Sequence, residues 1–161
     1  MNNRLDLAYS NIRWFEDFAI GETFEYGHWV MKKEEMLSFA KMYDPEPFHL
    51  DENESIRMGW GGLIASGLQV VAVCRRLQTG CLPNAEVVIS PGWDGIRWFK
   101  PVFAKDILSC RIDVIDTREL KSRPSEGVVK LRNQMINQDD EVVAEMISNV
   151  FIRRRPPGRS L

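Results

Sequence analysis

Leu63-Ile64-Ala65-Ser66-Gly67-Leu68-Gln69-Val70-Val71-Ala72-Val73-Cys74-Arg75-Arg76-Leu77 is the stretch on which the fold turns. Residues 64–77 are the strongest helix candidate in the chain, and apolar side chains occur nearly all round it. A helix of that kind is buried rather than laid on a surface. Ser66 is a suitable N-cap, while Arg75 and Arg76 fall toward the C-terminal end, where cations complement the helix dipole. Beyond this helix the pattern changes from helical to extended. Candidate strands are 86–89, 95–99, 107–117, 127–137 and 142–153. Gln138-Asp139-Asp140-Glu141 separates the last two as a hairpin loop, and 118–126 is a longer polar connection containing Pro124. Working back toward the N-terminus, Gly59-Trp60-Gly61-Gly62 breaks any regular element, and 52–58 has room for one or two helical turns. Residues 32–42 place Met36, Leu37, Phe39, Ala40 and Tyr43 at helical spacings, and 23–31 is a first strand. Strand, helices, then four or more strands describe an α+β domain with one apolar helix lying against a mostly antiparallel sheet.

The composition fits one such domain. The chain has 161 residues, 44% hydrophobic and 27% charged, with a net charge of -2. That is enough chain to bury roughly two-thirds of its unfolded surface. Neither a disordered chain nor a nucleic-acid binder has this balance. Residues 1–161 are read as a single domain, with 1–13 as an N-terminal arm and 154–161 as a basic tail. The tail is expected to fray, and phosphate binding is its alternative role. Cys74, Cys81 and Cys110 have no metal-ligand spacing and are read as buried or half-buried thiols in a reducing, cytoplasmic compartment. No apolar leader and no run of about 18 apolar residues occurs, so neither secretion nor a membrane partner is expected.

Chemistry concentrates in Tyr43-Asp44-Pro45-Glu46-Pro47-Phe48-His49-Leu50-Asp51. Each proline fixes its own φ and pushes the preceding residue out of the helical region, so Asp44 and Glu46 are expected to be extended. Stiffness of this kind suits a carboxylate and an imidazole that must both touch one water or one substrate atom. Taken singly, Asp44 is a turn-former or cap and His49 a structural histidine. Together on a braced loop they form a candidate acid/base pair.

The segments Phe39-Ala40, Asp44 to Asp51 and Gly61-Gly62-Leu63-Ile64-Ala65-Ser66-Gly67, in that order, resemble the signature of the MaoC-like dehydratases and R-specific enoyl-CoA hydratases. Ile96-Arg97-Trp98-Phe99-Lys100-Pro101-Val102 and Asp106-Ile107-Leu108 are similar to that family's strand after the central helix. The resemblance covers residues 14 to 153. It implies a hotdog fold, an antiparallel sheet wrapped around one long buried helix, and a homodimer or higher oligomer. It implies an acyl thioester substrate carried on coenzyme A or an acyl carrier, with the acyl chain in a tunnel near the subunit interface. Asp44 and His49 inherit the catalytic roles, holding the water that adds to or leaves the β-carbon. The chain departs from the family where Tyr43 replaces a glycine, Glu46 an asparagine and Ser66 a histidine. Glu46 either perturbs His49 or faces solvent; Ser66 keeps a small polar group at the helix start and can line the acyl pocket.

Hydration of an α,β-unsaturated thioester needs a base to take a proton from water, an acid to protonate the α-carbon, and donors for the enolate-like oxygen. No metal or redox cofactor is required. Asp44 is the candidate base, with His49 orienting the water. The backbone N–H of Gly67 is the candidate oxyanion donor, since a helix start presents free amides and glycine admits close approach of substrate. Arg97 and Lys100 either meet carrier phosphates or are exposed strand-edge charges. Asp51 and Glu52 are read as first-turn acids, His28 as structural, and Trp60, Trp93 and Trp98 as core or interface anchors. The rival readings are a hotdog thioesterase and a non-catalytic thioester-binding module.

Overall fold

The computed structural model describes residues 12–82 and 84–157. Five strands form one antiparallel sheet in the order β1-β3-β4-β5-β2: β1 is Thr23–Val30, β2 Val87–Trp98, β3 Ile107–Glu119, β4 Glu126–Ile136 and β5 Val142–Arg153. Four helices precede β2: α1 Lys33–Tyr43, α2 Pro47–Leu50, α3 Glu52–Arg57 and α4 Gly67–Cys81. The sheet curves around α4, the hotdog arrangement.

Strand alternation builds the core. Leu108, Cys110, Ile112 and Val114 of β3, Val129, Leu131 and Met135 of β4, and Ala144, Met146, Val150 and Ile152 of β5 all point to the face covered by α4. The helix answers with Val70, Val71, Val73, Cys74, Leu77 and Cys81. One polar thread crosses this interior. Gln78 Nε2 donates to Ser148 Oγ at 3.1 Å, and Asn133 Nδ2 donates to the same oxygen at 2.8 Å. The three cysteines converge here as free, buried thiols, with Cys74 Sγ 3.9 Å from Cys110 Sγ. Hydrogen bonding with Cys110, followed by burial, pushes the Cys81 thiol well up. On the opposite face the register pairs charges across strands, as Arg132 with Asp113 at 2.8 Å and Arg111 with Glu25 at 2.6 Å.

Four expectations are corrected. The long helix starts at Gly67, not residue 64, and runs on to Cys81. Leu63, Ile64 and Ala65 are buried in extended backbone, where Ile64 bridges Phe103 and Ala65 N–H donates to the Val102 carbonyl at 2.8 Å. The two short strands at 86–89 and 95–99 are one strand, β2, with register shifts along it. It carries Pro91 inside, which an edge strand tolerates because one side of its backbone has no ladder to complete. The basic tail is docked as far as Arg155: Arg154 pairs with Glu16 at 2.9 Å and Arg155 with Asp17 at 2.5 Å. Their charges are met by carboxylates rather than offered to a phosphate. Arg13, assigned to the arm, is also built in, exchanging backbone bonds with Asn84 and Glu86. Residues 1–11 of the arm and 158–161 of the tail lie outside the described residues. Among the described residues no helix is long and apolar enough to cross a membrane.

Candidate active site

Asp44 ends α1. It is the C-cap, its N–H bonded to the Ala40 carbonyl at 2.9 Å, with φ -153° and ψ 68°. Pro45 and Pro47 stop the helix there, as the sequence requires. Glu46 is extended at φ -70° and ψ 138°, and the chain then coils again, because Pro47 sits at the start of the short helix α2, where a missing N–H costs nothing. His49 therefore stands on a helical turn rather than on an extended loop. Its amide donates to the Glu46 carbonyl at 2.9 Å, while the Glu46 side chain is exposed. Asp51 caps α3, accepting from Asn53 N at 2.7 Å, a structural role as expected.

His49 is buried, and its Nδ1 lies 3.0 Å from the Ile64 carbonyl oxygen. A carbonyl only accepts, so Nδ1 carries the proton and Nε2 of the neutral ring is left with its lone pair. That Nε2 stands 3.5 Å from Asp44 Oδ2. Two acceptors facing each other this way are suited to hold one water, each taking one of its hydrogens and leaving the oxygen lone pairs free. The Asp44 side chain is 27% exposed, so its carboxylate is reachable.

His49 also lines a cleft of about 240 Å³, together with Trp60, Ile64, Gly67, Val70, Trp98 and Lys100 among others. Apart from His49 and Lys100 its walls are mostly apolar, as a site for an acyl group would be. Gly67 is the first residue of α4, so its N–H has no intrahelical acceptor, and it faces the same cleft as His49. Asp44, His49, Ser66 and Gly67 thus come together although 23 positions separate the first from the last.

The other assignments divide. Ser66 caps α4 by accepting from Leu68 N at 3.1 Å, but it is 1% exposed and its hydroxyl proton goes to Asp44 Oδ2 at 2.6 Å. It does not line the cleft, as Ala65 and Gly67 on either side do. Lys100 reaches the cleft and is ion-paired with Glu141. Arg97 is exposed, sits opposite Glu145 in the sheet and is not part of the cleft wall. Trp60 and Trp98, read as core or interface anchors, are cleft walls with 42% and 49% of their surface exposed. Trp60 is brought there by the glycine segment, which Ser55 closes by donating to the Gly62 carbonyl at 2.5 Å. The Ile64 carbonyl that sets the histidine tautomer was not a sequence candidate, since nothing in a residue's identity marks its backbone oxygen.

The model of the MaoC-like domain family matches residues 17–136. The chain belongs to this family. A MaoC-like dehydratase from Rhodospirillum rubrum is 33% identical, with 89% of this chain and 99% of that one covered at a TM-score of 0.84. The uncharacterized protein YdeM of Bacillus subtilis is 26% identical over 141 residues, 86% of this chain and 98% of YdeM. A double-hotdog protein of Mycobacterium tuberculosis, 19% identical, matches at a TM-score of 0.77 over 93% of this chain and 47% of its own length, and so bears on the fold alone. The MaoC-like fold places the aspartate–histidine segment of this member against the start of the central helix.

Proposed function

We propose that this protein is a hydro-lyase that interconverts a 2-enoyl thioester and a 3-hydroxyacyl thioester. The carrier is coenzyme A or an acyl carrier protein, and the protein works as a homodimer. The observation that carries the reading is the pair of facing acceptors, Asp44 Oδ2 and His49 Nε2 at 3.5 Å, with His49 and Gly67 both on the wall of one mostly apolar cleft. The 33% identical dehydratase of Rhodospirillum rubrum supports the same class.

In the hydration direction, Asp44 takes a proton from the water that it shares with His49. The water oxygen bonds to the β-carbon, and the π electrons move onto the thioester oxygen. The Gly67 N–H, at the positive end of α4, stabilises the charge that develops there. The proton held by Asp44 then passes to the α-carbon, which closes the balance without any redox step. The tautomer fixed by Ile64 keeps His49 as the acceptor that aims the water.

Homodimer formation is supported by the free edge of β2, where Val87, Val88, Ile89 and Trp93 stay exposed. An apolar strand edge is a surface that natural proteins cover.

The test is hydration of crotonyl-CoA followed by loss of conjugated-thioester absorbance. Asp44→Asn and His49→Ala should each lower kcat/KM by about 10²–10⁴-fold with the fold intact by circular dichroism. Near-normal rates in both variants would sink the proposal. A parallel assay of thiol release separates it from a thioesterase, which would liberate free coenzyme A. Saturable binding with no turnover on any enoyl or hydroxyacyl thioester would instead identify a binding module.

A further inference from the structure

Resting on the hydro-lyase reading, we infer that Ser66 is a positioning residue that holds the Asp44 carboxylate for catalysis, and that it is neither a pocket-lining nor a substrate-binding group. The directions of its hydrogen bonds leave one arrangement. Leu68 N–H can only donate, so it takes a lone pair of Ser66 Oγ at 3.1 Å. The single hydroxyl proton must then go to Asp44 Oδ2, 2.6 Å away. That distance belongs to a charge-assisted hydrogen bond to an ionised carboxylate. At 1% exposure the hydroxyl has no access left for substrate.

The consequence is mechanical. Asp44 lies at the end of α1, where only its backbone is tied to the helix, and its carboxylate is otherwise free to rotate. Ser66 fixes that rotation by linking it to the first turn of α4, the element that also carries the Gly67 amide. Base and oxyanion donor are thereby referred to one rigid element. Asp44 Oδ2 accepts from Ser66 with one lone pair and keeps the other for the water that it shares with His49 Nε2.

Ser66→Gly tests this well, because glycine is nearly as good an N-cap as serine and costs α4 only a few tenths of a kcal/mol. The expected result is a fall in kcat of about 10–100-fold with KM within about threefold, as for a displaced catalytic group. Ser66→Thr, which keeps the hydroxyl, should recover most of kcat. The proposal is overturned if Ser66→Gly folds and keeps the wild-type kcat, or if Ser66→Thr folds and is as impaired as Ser66→Gly. Asp44→Asn run alongside separates the two readings. An inactive Asp44→Asn beside an unchanged Ser66→Gly removes the role of Ser66 alone, while an active Asp44→Asn removes the hydro-lyase reading itself.

Discussion

The indole of Trp98 lies directly on Gly67. A Cβ built at position 67 would stand 2.8 Å from Trp98 Cε2 and 2.9 Å from Nε1, closer than atoms approach, and the same Nε1 donates to the Gly67 carbonyl at 3.1 Å. The glycine is therefore needed for helix–strand packing, a constraint that sequence reasoning replaced with room for substrate. Gly67→Ala should destabilise the protein by about 1–3 kcal/mol, the range for overpacking a rigid contact. In Trp98→Ala the clash is gone, so adding Gly67→Ala to it should cost far less than in the wild-type background. Denaturant midpoints of the four proteins give the coupling directly, and additive losses would rule out the contact. Asp44 and His49 were legible at this scale because prolines fix backbone geometry locally. The Ser66–Asp44 bond was not, because it joins positions 22 apart whose meeting depends on how α1 docks against α4.

The sheet's outer face shows what a strand's register does for charge. Asp113 of β3 accepts from Arg132 of β4 at 2.8 Å and from Thr23 of β1 at 2.8 Å, so one carboxylate ties three strands. Burial raises its carboxyl, but the bonds from Arg132 and Thr23 outweigh that and hold it below the ordinary carboxylate value. A depressed carboxyl stabilises the fold above its unfolded value of about 3.9, and that contribution is lost as pH falls through the folded value. Asp113→Asn should thus cost on the order of 1 kcal/mol at pH 7, an amount kept small because the Arg132 side chain is 44% exposed. The gap to wild type should narrow as pH falls below about 3.9; a gap of the same size at pH 7 and in acid would mean that charge is not its source. Strand positions themselves were readable from alternation, and β3, β4 and β5 fall close to where the pattern put them. The pattern misled at the start of α4, where Leu63 to Ala65 are buried by a bridge to Phe103 rather than by a helix. Burial of a short apolar run leaves its backbone state open. It misled again in β2, where two strands at 86–89 and 95–99 were expected and one edge strand runs through Pro91-Gly92.

For the whole molecule the open question is what covers β2. The sheet has two edges, β1 and β2, and β1 protects itself with a bulge at Gly27, φ +119°, and with charged Glu25 paired to Arg111. β2 also has register shifts and carries Pro91, but it leaves large apolar side chains open: Ile89 is 53% exposed and Trp93 42%, on a strand that ends at the cleft wall with Trp98. If two copies join along this edge, the interface should reach the roughly 1,200 Å² or more that stable association requires, and the cleft should adjoin the joint. Wild-type protein at micromolar concentration should then run as a dimer in light-scattering chromatography. Ile89→Asp and Trp93→Asp place a charge in the joint and should shift it to monomer, with far-ultraviolet dichroism unchanged because neither side chain is in the core. Since Trp98 and Phe99 at the end of β2 wall the cleft, the monomeric variants should also bind acyl thioester more weakly, seen as a raised KM that falls again as protein concentration rises. A wild-type monomer, or charged variants that stay dimeric, would show that β2 is not the joining edge.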